Sequence, residues 1–258
     1  MVSLDAAPNG LVAVSCLDNM VKVFDDREQK VTANIQREPA ESWAVAFEPG
    51  DDPARLAVAG GSSGAVVLYN ISKDEDNADK GDADVAATFA LPAAADAASK
   101  GRFAQSVAFS PDGARLACGS ASGVVAVFDV ASGKFLHTLE GHAMPVRTVD
   151  FSPDGKTLYT GCDDGHVHAY DAEHRSLAAA FPGHASWVLG VDASPDGRAL
   201  VSCGADGAVK LWDLAQRTCA QTLSDQTAAV WGVRFSPGGG RVAAVGDDKS
   251  VSLYDYAA

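Results

Sequence analysis

HASWVLGVDASPDGRALVSCGADGAVKLWD runs from His184 to Asp213. It opens on His, closes on Trp-Asp, and sets two glycine turns, SPDG and ADG, between short apolar runs. A histidine, serines and aspartates in one such stretch admit two readings. One is a hydrolytic triad; the other is a structural device that the chain repeats.

The spacing decides between them. SPDG recurs at Ser110, Ser152 and Ser194, and SPGG follows at Ser236, each step being 42 residues. Phe128-Asp129, Tyr170-Asp171, Trp212-Asp213 and Tyr254-Asp255 keep that step, as do Gly141-His142 and Gly183-His184. Two looser units precede these, ending in Phe24-Asp25 and Tyr69-Asn70. Six units result, at about 2–37, 41–91, 102–142, 143–184, 185–226 and 227–258, read as one domain over 1–258. Within a unit, VLGVDA, RALVSC, AVKLWD and TCAQTL read as four short strands. PDG and ADG read as tight turns, in which glycine supplies the positive φ that other residues avoid. Four antiparallel strands per unit predict an all-β chain built of propeller blades.

On these residues the chain resembles the WD-repeat family, whose blades carry a hydrogen-bonded His–Ser/Thr–Asp–Trp tetrad. The resemblance assigns that role to His184, Ser202, Asp206 and Trp212, and at the same spacing to His142, Thr160, Asp164 and Tyr170. A catalytic triad has no reason to be copied twice in one chain. Buried indole, hydroxyl, imidazole and carboxylate groups that satisfy one another lock a blade's hairpins. The third unit has Cys118 and Ser122 in the corresponding places, and Asp225-Gln226 stands where Gly-His is expected.

Composition narrows the function classes. A net charge of -14 and a pI of about 4.6 oppose binding to phosphate backbones, so no direct nucleic-acid partner is expected. No apolar run approaches a membrane span, and MVSLDAAPNG lacks the pattern of a signal peptide. Five cysteines, an odd number without a CxxC, read as reduced and mostly buried thiols. His166 and His168 follow Cys162 and could face a metal together, but they match Ala208 and Lys210 of the next unit and read as ordinary blade residues. Neither a metal nor a cofactor is expected. The acidic segment 72–84, SKDEDNADKGDAD, fails the calcium-loop spacing and reads as a solvated insertion. No GxxxxGK, HExxH or GxSxG is present, and the chain is not expected to be an enzyme.

A partner surface is expected where each unit's first strand begins, at the rim of the propeller channel. Six residues before the phenylalanine of FSP, or its equivalent, stand Phe103, Pro145, Trp187 and Ala229, with Glu41 in the second unit; four before it stand Trp43, Gln105, Arg147, Leu189 and Trp231. Period-two alternation puts both slots on one side of the strand. Trp and Arg are favoured at interaction hot spots. Trp43, Phe103, Arg147, Trp187, Leu189 and Trp231 are therefore the candidate partner-binding residues, and Asp163, Ala205 and Asp247 should reach the same face.

A closer resemblance lies in GKFLHTLEGHAMPVRTVDFSPDG, HASWVLGV, KLWDLAQRTC, VWGVRFSP and VGDDKSVSLYD. These are similar to the family of small WD-repeat subunits found in the superkiller complex and in the RNA-polymerase-II-associated factor complex, including the plant vernalization-independence type. That resemblance implies a non-enzymatic scaffold in nucleus and cytoplasm. Its implied partners are a tetratricopeptide-repeat protein, an RNA helicase serving exosome-linked 3′-to-5′ mRNA decay, and subunits acting in transcription elongation and histone modification. A histone-tail reader or a ubiquitin-ligase substrate receptor is the alternative. The family has seven blades, and Val2-Ser3-Leu4-Asp5 already aligns within a first strand. The expectation is a truncated chain that lacks the N-terminal blade, with six blades of a seven-bladed plan in an unclosed ring; a closed six-bladed ring and a blade completed by a partner remain open.

Overall fold

Each SPDG turn closes the hairpin between the first and second strands of a unit, and it does so with its own side chains. Ser110, Ser152 and Ser194 each donate through Oγ to the aspartate two residues on, at 2.5, 2.7 and 2.6 Å. The same oxygens accept the backbone N–H of Arg115, Thr157 and Ala199 at 2.9 Å. Gly113, Gly155 and Gly197 sit at φ of 69°, 69° and 70°, which is why glycine ends the motif.

The computed structural model describes residues 3–16, 18–36, 42–60, 64–71, 84–92 and 103–256. The acidic segment 72–84, apart from Asp84, lies outside the described residues, as do Val2, Glu41 and most of the alanine-rich connection that follows the insertion. Among the described residues the chain is all-β, and it forms six sheets of propeller-blade type, blades 1 to 6 in chain order. It packs as two units, 1–138 and 139–258.

In the first unit, blades 1, 2 and 3 are four-stranded meanders beginning at Ser3, Ala44 and Ala104. In the second, blades 4 and 5 begin at Val146 and Val188 and have four strands, and blade 6 has three: Val230–Phe235, Arg241–Gly246 and Val251–Asp255. Second strands such as TLYTGC and ALVSCG are buried almost throughout, because both faces meet apolar side chains. Outer strands are largely exposed; LAAAFP of blade 4 buries one large side chain, Phe181, against Trp212.

Blades within a unit are also joined by carboxylates. Asp5 accepts the Phe47 N–H at 2.7 Å in the first unit. In the second, Asp150 accepts the Ala193 N–H at 2.9 Å and Asp192 the Phe235 N–H at 2.6 Å, with Arg234 donating to Asp192 at 2.7 Å. Burial raises both Asp150 and Asp192 above the usual carboxylate range, and the Asp192 charge adds to the effect on Asp150. A carboxyl raised on folding binds more protons in the native than in the unfolded state. Its contribution to stability is present at low pH and falls as pH rises through the shifted value. Asp150→Asn keeps an acceptor for Ala193 and removes the charge. The variant's melting temperature relative to the unaltered chain is therefore expected to rise between about pH 5 and about pH 8; a difference independent of pH would contradict this.

Candidate interaction surface and buried polar networks

In blade 5 four side chains form one directed chain of hydrogen bonds. The Trp212 indole donates to Ser202 Oγ at 2.8 Å, Ser202 Oγ lies 2.8 Å from His184 Nε2, and His184 Nδ1 lies 3.0 Å from Asp206 Oδ2. Asp206 also accepts the Ala185 and Ala208 N–H groups at 2.9 and 3.2 Å. The carboxylate thus ties the segment entering the blade to the turn between its second and third strands.

Blade 4 repeats three of these members and changes the fourth. His142 lies 2.8 Å from Thr160 Oγ1 and 3.0 Å from Asp164 Oδ2. Tyr170 departs from the expected tetrad: its hydroxyl pairs with His168 Nδ1 at 3.0 Å instead of joining Thr160. A phenol carries its oxygen at the ring tip, whereas an indole carries its N–H on the flank, so the two rings reach different partners from one position. His168 stacks on His142 with centroids 3.9 Å apart, while His166 turns its Nδ1 to the Asp164 carbonyl at 3.0 Å. The His-x-His pair therefore does not converge on a common point. Burial holds His142, His168 and His184 below the usual imidazole range, His168 at about 4, so all three are neutral at pH 7. Burial also pushes the thiols of Cys118 and Cys162 up to about 12 and that of Cys203 further still.

In blade 6, Gln226 occupies the histidine position and is buried. With its amide oriented to satisfy both neighbours, it donates to Asp248 at 3.2 Å and accepts from Ser252 Oγ at 3.0 Å. The sequence marks Gln226 only as a departure from Gly-His; its bond to the turn aspartate is visible only in three dimensions.

The rim slots owe their geometry to a repeated β-bulge. Pairing runs Val146 to Cys162 and then Thr148 to Gly161, which leaves Arg147 as the extra residue. Gln105, Leu189 and Trp231 are extra in the same way in blades 3, 5 and 6. The residue six before the phenylalanine lends its carbonyl to the N–H of the residue before the turn acid or its equivalent: Phe103 to Ala121, Pro145 to Asp163, Trp187 to Ala205 and Ala229 to Asp247, at 2.9–3.0 Å. The slots are thus brought together by a bulge, which re-aims the side chain, and not by the period-two alternation of a regular strand. No sequence signal marks the bulge, because Gln, Arg, Leu and Trp share no chemistry.

Within the second unit, Arg147 makes a two-pronged pair with Asp163 at 2.6 and 2.8 Å, and its guanidinium lies 4.9 Å over the Trp187 ring. Trp187 and Trp231 are 45% and 54% exposed, and the Trp231 indole donates to Asp247 at 2.7 Å. Leu189 is half-buried. In the first unit, Trp43 and Phe103 meet edge to face with centroids 5.6 Å apart. The contact between one blade's second slot and the next blade's first slot therefore recurs in both units. A groove of about 700 Å³ lies elsewhere, beside Leu211, Trp212 and Tyr256; its lining contains no histidine, serine or cysteine.

The networks predict graded stability losses. Asp206→Ala strands a buried imidazole and two N–H groups and is expected to cost about 3 kcal/mol in chemical denaturation. Asp248→Ala, at a more exposed turn, is expected to cost clearly less. Equal losses would contradict the difference between the two blades.

The sequence model of the family described as WD domain, G-beta repeat matches residues 100–129, 133–171, 175–213 and 217–255, more than half of the chain. The chain is 45% identical over 155 residues to WD repeat-containing protein VIP3 of Arabidopsis thaliana, an alignment covering 58% of this chain and 45% of that protein. It is 32% identical over 150 residues to WD repeat-containing protein SL1-17 of Schistosoma mansoni, covering 58% and 43%. A 46-residue stretch, 18% of the chain, is 59% identical to a part making up 6% of the probable serine/threonine-protein kinase PkwA of Thermomonospora curvata. The chain thus spans somewhat less than half the length of the first two relatives.

Proposed function

The chain belongs to the WD-repeat family, and from that premise we propose that it is a non-enzymatic scaffold that captures short segments of partner proteins on its bulge-presented rim. The observation that carries this reading is the exposure of Trp187 and Trp231 on neighbouring blades, each held by a polar neighbour: Arg147 over the first ring and Asp247 on the indole of the second. Anchored aromatics lose little conformational freedom on binding, which is what a hot spot requires.

The finer proposal is membership of the superkiller complex, of the RNA-polymerase-II-associated factor complex, or of both, in cytoplasm and nucleus. Its partners are then the tetratricopeptide subunit and RNA helicase of the first and elongation subunits of the second. The similarity to VIP3 over 155 residues and the sequence phrases around His142 and His184 support this reading. A basic histone tail fits the same rim less well. Asp163 is already paired with Arg147, and Asp247 already accepts the Trp231 indole.

Affinity purification of the tagged chain from its own cells, with mass spectrometry, tests the assignment. Tetratricopeptide and helicase subunits, or elongation subunits, should co-purify; recovery of histones or ligase subunits alone would overturn it. Trp187→Ala is expected to weaken partner capture at least about tenfold while leaving the melting temperature nearly unchanged. Loss of binding only in proportion to loss of fold would argue against a rim role.

A further inference from the structure

The position of Cys162 is unlike its counterpart in the neighbouring blade. Blade 5, with the same His–hydroxyl–Asp arrangement, has Gly204 there. A Cβ added to Gly204 would stand 2.7 Å from the Trp187 carbonyl and 3.0 Å from both His184 Nδ1 and Asp206 Oδ1. A side chain at this point therefore borders both a backbone carbonyl and the imidazole–carboxylate pair. Blade 4 puts a thiol there. His142, Cys162 and Asp164 bring one nitrogen, one sulfur and one oxygen within 4.8 Å of one another. We propose that His142 Nδ1, Cys162 Sγ and an Asp164 carboxylate oxygen form a Zn²⁺ site in blade 4.

The donor set and dimensions fit. Zn²⁺ takes imidazole nitrogen, thiolate and carboxylate at roughly 2.0–2.3 Å in a tetrahedron. The corresponding nitrogen-to-oxygen edge is about 3.3 Å, and His142 Nδ1 already lies 3.0 Å from Asp164 Oδ2. The ion stands in place of the proton these two atoms share. The imidazole proton moves to Nε2, where Thr160 Oγ1 at 2.8 Å turns from donor to acceptor. This is the outer hydrogen bond that orients a metal-bound histidine. His168, stacked on the ring, holds its plane. The Cys162 thiol, now 3.2 Å from the Met144 carbonyl, gives up its proton to solvent and binds as thiolate. The Asp164 side chain is 23% exposed, which leaves an entry path and room for a water as fourth ligand. His142 and Cys162 are buried, so the site is built into the blade and is not a surface cluster.

Cobalt reports such a site directly. The full chain, freed of metal by a chelator, is titrated with Co²⁺ and then with Zn²⁺. One equivalent of Co²⁺ should give thiolate-to-cobalt charge-transfer absorption with tetrahedral d–d bands, Zn²⁺ should abolish both, and Zn²⁺ should raise the melting temperature. Cys162→Gly makes this position of blade 4 like that of blade 5 and should stay folded; the charge-transfer band and the thermal response should both disappear. Cys162→Ser, closer in volume, should lose the band as well and serves if the glycine variant is unstable. Absence of the band in the unaltered chain, or its survival in the Cys162 variants, would overturn the proposal.

Discussion

One carboxylate at the turn between the second and third strands organises each of the best-formed blades. Asp206 and Asp164 sit where a tight turn needs an acceptor for its own N–H groups, and each uses its remaining oxygen on an imidazole from the segment that enters the blade. Buried polar groups are tolerated only when paired, so the acid, the imidazole and the hydroxyl demand one another. The middle strands can then be apolar on both faces, because their exposed ends are closed by this network. Blade 6 keeps the acid and replaces the imidazole by Gln226, a neutral donor that still reaches the turn.

The same architecture yields the interaction surface. A hairpin tied at its turn still has to present side chains beyond its sheet, and the bulge at Arg147, Leu189 and Trp231 does so without breaking the inner pairing. Because the bulged position is repeated, evolution can vary its side chain freely while its direction is held. The stacked Arg–Trp pair stands on such a bulge, whereas the Trp–Phe pair of the other unit joins the same two slots where blade 2 pairs without a register shift. Functional variety here comes from the residues placed on the bulge, and stability comes from the residues behind it.

The networks also differ in what they leave available. In blade 5 the Trp187 carbonyl, His184 and Asp206 leave no room for a side chain at Gly204, and Trp212 completes the hydrogen-bond chain. In blade 4 the tyrosine withdraws to His168 and a thiol fills the glycine position. Two departures from a repeated pattern thus fall on one network and add a thiol to its imidazole and carboxylate, the donor set proposed above for a metal.

The all-β class, the 42-residue blade period and the turn chemistry follow from residue type at fixed spacing, and the His–hydroxyl–Asp members from the resemblance to the WD-repeat family. The alternation of Val, Leu and Ala with glycine turns is local physics, and it reads directly from the chain. Packing settles that Arg147, Leu189 and Trp231 stand on bulges, that Tyr170 serves His168, that Gln226 bonds to Asp248, and that Cys162 lies beside an imidazole and a carboxylate. Those outcomes depend on where a ring tip, an amide or a thiol ends once neighbouring strands have packed. Spacing along the chain carries no information about such distances.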